Sequence, residues 1–135
     1  MKASNIEVGH IYYVQFDPVK KGEFGKQHLA VVLKKNRNRI TFVVIPLTKD
    51  GVGSGKNKVA LGKLDCLPKN LQSVDSYAVY DQVRTVSASR FSDLYENGKV
   101  WSAVMPRDKM VTLYRAVIED FLHDVPESER ILIIR

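Results

Sequence analysis

A small set of polar residues falls where strand-like stretches end or meet. His28 closes a charged loop, Thr48 follows the apolar run Ile40–Leu47, and Asp81, Gln82 and Arg84 lie at the junction of two strand-like stretches. Phosphodiester chemistry can run on such a set without a metal. A general base must take a proton from the attacking oxygen, and a general acid must protonate the leaving one. A cation and fixed hydrogen-bond donors must answer the charge that develops on phosphorus. The His28 imidazole titrates near neutral pH and suits the proton transfer. The Arg84 guanidinium can grip a phosphate bidentately, and the Thr48 hydroxyl can donate. The same side chains have plainer uses. Arg84 can pair with Asp81 and Thr48 can cap a turn, and residue types alone do not choose.

Other chemistries lack their signatures. His10, His28 and His123 are isolated, and none has a metal-ligand spacing. The single cysteine, Cys66, excludes an internal disulfide and a Cys-based zinc site. With no activating partner in view it reads as an incidental thiol. Gly51, Gly53 and Gly55 alternate, but the pattern G-x-x-x-x-G-K-[ST] is absent, as is the G-x-S-x-G elbow. Neither a cofactor nor a metal is expected. No apolar run approaches the roughly 18 residues needed to cross a bilayer, and the N-terminus lacks the apolar stretch of a signal peptide. A soluble cytoplasmic protein is the expectation.

The chain has 135 residues and a net charge of +6, and the charge is unevenly spread. Residues 1–64 carry +8 and residues 65–135 carry −2. Much of the excess sits in two glycine-bearing loops, with Lys20, Lys21 and Lys26 in one and Lys49, Lys56 and Lys58 in the other. A polyanion such as a phosphate backbone would be drawn to them, although a solvated lysine surface explains the charge equally well.

The elements that must position these residues read as strands first and a helix last. Ile11–Phe16 is β-branched and aromatic and is stopped by Asp17-Pro18. Residues 20–28 form a charged loop, Leu29–Leu33 a buried strand, and residues 34–39 a polar turn leading to the strand Ile40–Leu47. After the loop 49–58 come short strands at 59–61, 76–80 and 83–87, then a hairpin turning at Asn97-Gly98. Met110, Val111, Leu113, Tyr114, Val117, Ile118, Phe121 and Leu122 follow helical spacing, predicting a core-packed helix over about 106–124. The apolar tail 131–134 is expected to pair as a late strand or to enter a subunit interface. A single domain over 1–135 follows, a small, strongly bent β-barrel with a C-terminal helix.

Four segments carry a family resemblance. Gly9–Phe16, Gly22–Leu33, Ile40–Thr48 and above all Asp75–Val86, with its Asp81-Gln82-Val83-Arg84-Thr85 core, resemble the MazF/PemK-like toxins of type II toxin–antitoxin systems. The resemblance spans about residues 7–122. It implies an SH3-like barrel of the MazF/PemK/CcdB-like toxin fold that forms a homodimer. It also implies a metal-independent endoribonuclease that cuts single-stranded RNA, leaving a 2′,3′-cyclic phosphate and a 5′-hydroxyl. The catalytic positions would be His28, Thr48 and Arg84. Lys20, Lys21, Glu23, Lys26, Gln27, Lys49, Lys56, Lys58, Asp81 and Gln82 would line the RNA groove. A cognate antitoxin would block that groove with an acidic, partly disordered segment.

The chain departs from the family where Arg-Pro is usual and His28-Leu29 stands instead. A histidine is a competent acid or base but lacks the permanent charge and forked geometry of arginine. Two readings stay open. His28 takes over the chemistry, with Lys26 and Arg84 supplying the positive field, or the protein binds RNA or a protein target without cutting. Related barrel toxins that poison gyrase use an exposed aromatic at the end of the C-terminal helix. Here the helix ends in Phe121-Leu122-His123-Asp124, at spacings that look structural.

Overall fold

The computed structural model describes residues 1–134. The strands are β1 (His10–Gln15), β2 (Gln27–Lys35), β3 (Thr41–Thr48), β4 (Lys58–Lys63), β5 (Asp75–Val79), β6 (Arg84–Ser87), β7 (Phe91–Ser92), β8 (Leu94–Glu96), β9 (Lys99–Trp101) and β10 (Ala103–Val104). Two helices follow, α1 (Arg107–Phe121) and α2 (Glu127–Ile133). The main sheet runs β10-β1-β2-β3-β5-β4, with β6 added on β3 and β7 on β1. β8 and β9 form a separate hairpin that turns at Asn97 (φ 52) and Gly98 (φ 75). Both turn residues are left-handed, as a tight hairpin requires.

β1, β2 and β3 are nearly continuous apolar runs because both faces of the sheet are covered. On one face Ile11, Val31, Ile45 and Leu47 pack with Leu61, Leu64 and Leu67 and with Leu113 and Val117 of α1. On the other, Val14, Ala30, Val32, Phe42 and Val44 pack with Ile6, Phe16, Val86 and Phe91. β3 is shared among three neighbours. It pairs with β2 from Phe42 to Pro46, with β6 from Thr41 to Val44, and with β5 at Leu47 and Thr48. Changing partners along one strand bends the sheet. A register slip between Val32 and Lys34 adds local twist. The result is the expected SH3-like bent sheet, but its ends, β10 and β4, do not pair, so no closed hydrogen-bonded ring forms among the described residues.

The C-terminal elements correct two expectations. α1 buries Leu113 and Val117, while Val111, Tyr114, Ile118 and Phe121 are exposed. Tyr114 still reaches the sheet, its hydroxyl donating to the Leu33 carbonyl of β2, so the apolar side chains of α1 that face outward are Val111, Ile118 and Phe121. The tail is not a strand. It forms α2, starting after Pro126, with Ile131, Leu132, Ile133 and Ile134 all exposed. Among the described residues no helix is long and apolar enough to cross a membrane.

Candidate functional site

β2 begins at Gln27, so His28 is a strand residue opposite Val14 of β1 and not the end of the loop. The β2–β3 register sets Ala30 against Pro46 and Val31 against Ile45. Carried two positions past Ala30, the same register brings His28 level with Thr48. The two strands part at that point, because Leu47 and Thr48 turn away to pair with Ala78 and Tyr77 of β5. A cleft of about 460 Å³ opens there, with His28, Gln27, Thr48, Lys49 and Asp50 along its polar side. The Asp50 amide donates to Thr48 Oγ1 at 3.2 Å. That contact uses a lone pair and leaves the hydroxyl proton free to donate elsewhere.

Burial lowers the His28 pKa below the ordinary 6.5. The nearby backbone of Leu47 and Gly25 pulls it partly back up, and the charge of Lys26 pushes it down again. The ring is therefore neutral at pH 7, the form that accepts a proton. Phe24 leans on it, with ring centroids 4.2 Å apart.

Arg84 does not pair with Asp81. It lies opposite Val44 on β6, donates from Nη1 to the Phe16 carbonyl at 3.0 Å, and sits 5.6 Å from the centroid of the Phe16 ring. Phe16 in turn meets Phe24 edge-on at 5.9 Å. Arg84, Phe16, Phe24 and His28 thus form a stack in which Arg84 stands farthest from the imidazole. Gln82 works on the same loop, its Oε1 accepting from the Phe24 amide at 2.9 Å. These contacts fix the segment that lays Phe24 against His28.

The loops are ordered by their own contacts. Glu23 Oε1 accepts from the Lys20 amide at 2.6 Å and the Glu23 amide donates to the Lys20 carbonyl at 3.0 Å, so the Glu23 carboxylate is already engaged. Glu23, Phe24, Lys58 and Gln82 line a second cleft of about 330 Å³, where the two basic loops meet. Lys20, Lys21, Lys26 and Asp81 are exposed and line neither cleft. Lys56 and Lys58 also face Glu119 and Asp120 of α1, and His123 just beyond it, across a third cleft. Part of the basic charge of the second loop thus faces carboxylates of the same chain without pairing to them among the described residues. Among the described residues no three His, Cys, Asp or Glu side chains gather as a metal-ligand set.

Comparison with known proteins decides the family. The family described as PemK-like, MazF-like toxin of type II toxin-antitoxin system matches residues 7–121. The chain belongs to that family. Among solved structures it resembles MazF (Form-I) from Deinococcus radiodurans, at a TM-score of 0.62 and 21% identity over 87% of this chain and 96% of that one. It also resembles MazE-MazF (Form-II) from the same organism, at a TM-score of 0.57 and 22% identity over 88% and 96% of the two chains. At that identity the likeness is one of fold. No curated protein matches. The family match ends at Phe121, so α2 lies outside it.

Sequence reasoning about this site missed the roles of Phe24 and Phe16 and the acidic face that α1 turns to the second loop. Phe24 stood in a segment with no periodicity, and nothing in its spacing showed that its ring would return to His28. Cys66 has no activated character, since burial pushes its thiol up.

Proposed function

We propose that this chain is the toxin of a type II toxin–antitoxin pair and an endoribonuclease that cuts single-stranded RNA without a metal ion. The observation that carries the reading is a neutral His28 level with Thr48 in an open cleft, with Lys49 on its edge. Membership in a toxin family whose members are endoribonucleases supports it.

In the proposed reaction the RNA 2′-hydroxyl gives its proton to His28 as its oxygen bonds to the adjacent phosphorus. The bond from phosphorus to the 5′-oxygen breaks, and that oxygen takes a proton from water in the open cleft. The products are a 2′,3′-cyclic phosphate and a 5′-hydroxyl. Thr48 donates to a non-bridging oxygen. Lys49 and Lys26 supply the positive field that an arginine at position 28 would have brought. A positioned base is worth about 10²- to 10⁴-fold in rate. Arg84, Gln82 and Phe24 position the histidine, and the remaining loop lysines hold the RNA backbone.

The proposed partners follow from the family. The Deinococcus radiodurans MazE-MazF structure pairs MazF with MazE. We extend such a pairing to this chain, with an acidic antitoxin segment lying across the basic loops of a cytoplasmic homodimer. The test is incubation of the purified protein with single-stranded RNA in EDTA. Cleavage supports the reading.

One observation favours a second reading. Phe121, at the end of α1, is 70% exposed and is not the core residue its spacing implied. A protein-binding toxin that poisons gyrase without cutting would present such an aromatic. Gyrase inhibition that Phe121→Ala abolishes, with no RNA cleavage, would decide for it.

A further inference from the structure

The cleft beside His28 and Thr48 has a second half that proton transfer does not use. Leu29, Leu47, Leu67 and Leu71 line it, and Tyr13 adds an aromatic surface. Ser76 opens into the same space. Among the described residues it is the one buried polar side chain, only 6% exposed, and its hydroxyl has no hydrogen-bond partner there. No fully buried side-chain oxygen lacks a partner there, so the Ser76 hydroxyl is not sealed in. It keeps its small opening toward the cleft. A nearly buried hydroxyl left unpaired is costly unless something arrives to meet it.

We propose that this half of the cleft is a pocket for one nucleobase next to the cleaved phosphate, with Ser76 reading the edge of the base and Tyr13 offering its ring for stacking. The proposal rests on the ribonuclease reading and deepens it by locating base selection. The volume, about 460 Å³ for the whole cleft, lies in the range of small-ligand sites. A planar, mostly apolar group with a polar rim fits leucine walls, one aromatic face and one hydroxyl. Single-stranded RNA is recognised by splaying bases onto aromatic side chains and hydrogen bonding to their edges. Lys49 at the rim meets the phosphate that such a base carries.

The test uses a pool of random-sequence RNA, 2′-O-methylated so that it binds without being cut. The bound fraction is sequenced for the wild type, Ser76→Ala and Val74→Trp. Val74 is exposed at the rim, so tryptophan there fills the pocket without entering the core. The wild type should enrich one base at a single position. Ser76→Ala should cut that enrichment about three- to tenfold, the effect of one hydrogen bond. Val74→Trp should abolish it while overall affinity, set by phosphate contacts, changes less than about threefold. Unchanged base profiles in both variants would overturn the pocket and leave the ribonuclease reading standing. Failure of the wild type to bind any RNA would overturn both. A Val74→Trp protein that sediments at half the wild-type mass would show that a second copy of the chain fills the pocket, which also overturns the proposal.

Discussion

Replacing Arg84 by alanine removes two visible contacts, the hydrogen bond to the Phe16 carbonyl at 3.0 Å and the guanidinium placed 5.6 Å from the Phe16 ring centroid. A hydrogen bond from a charged donor contributes about 1.5–3 kcal/mol, and a cation over an aromatic ring about 0.5–1 kcal/mol at an exposed site. Arg84 is half-buried, so solvent screening puts both at the low end and the sum near ~2 kcal/mol. Urea unfolding can be followed by fluorescence of Trp101, which hydrogen-bonds to the Cys66 carbonyl in another part of the fold. With a slope of about 2 kcal/mol per molar urea, the midpoint should fall by about 1 M. Arg84→Lys should recover part of the loss. Because the stack from Phe16 through Phe24 to His28 loosens, cleavage should fall about tenfold, in keeping with the loss of one positioning contact. An unchanged midpoint with activity lost by about a thousandfold or more would refute this reasoning, since it is the signature of a cation touching the transition state.

The pH profile of cleavage should rise with unit slope through a midpoint below 6.5 and stay flat above it, because the lowered pKa of His28 keeps the base form present at neutral pH. A falling limb there would mean that the protonated ring does the work. The same shift makes stability pH-dependent. The unfolded chain binds the proton first, so the His28 contribution is full above about pH 6.5 and is lost as pH falls through the lower folded value. Urea midpoints of the wild type should drop more than those of His28→Gln between pH 7.5 and 5. Gln82→Ala leaves the Phe24 amide unpaired, so hydrogen exchange should quicken across residues 20–26 at a stability cost of about 1 kcal/mol; unchanged exchange would show that the contact holds nothing. RNA affinity should fall with salt at a slope of about −0.7 per phosphate contacted. Lys49→Glu should weaken binding more than Lys56→Glu, whose charge already faces Glu119 and Asp120. The reverse order would contradict the arrangement of the clefts.

The parts of the fold that sequence conveyed are those where one local pattern has one structural meaning. The unbroken runs at Leu29–Leu33 and Ile40–Leu47 imply strands buried on both faces, and the two core clusters cover those faces. Asn97-Gly98 turns a hairpin because both positions need a left-handed backbone. What sequence could not convey depends on which surface meets which. Helical periodicity found Val111, Tyr114, Ile118 and Phe121 alongside Leu113 and Val117, but only packing shows that Val111, Ile118 and Phe121 are uncovered and that Tyr114 meets the sheet through its hydroxyl. The tail Ile131–Ile134 is apolar and mostly β-branched, yet it continues a short helix begun after Pro126. His28 and Thr48 were visible as residue types. Their alignment required the register of two strands and the point at which β3 leaves β2 for β5. Arg84 read as a phosphate-binding cation, and nothing local showed that its Nη1 also reaches the Phe16 carbonyl.

The central claim is that His28, level with Thr48, moves the proton of the attacking 2′-hydroxyl. Its most direct test is single-turnover cleavage of a defined single-stranded RNA in EDTA by the wild type, His28→Ala and Thr48→Ala, with the product ends identified by mass spectrometry. Proton transfer by His28 predicts 2′,3′-cyclic phosphate and 5′-hydroxyl ends from the wild type, a rate lower by about 10²- to 10⁴-fold in His28→Ala, and a smaller loss in Thr48→Ala. Full activity in His28→Ala, or 5′-phosphate ends from the wild type, would contradict it.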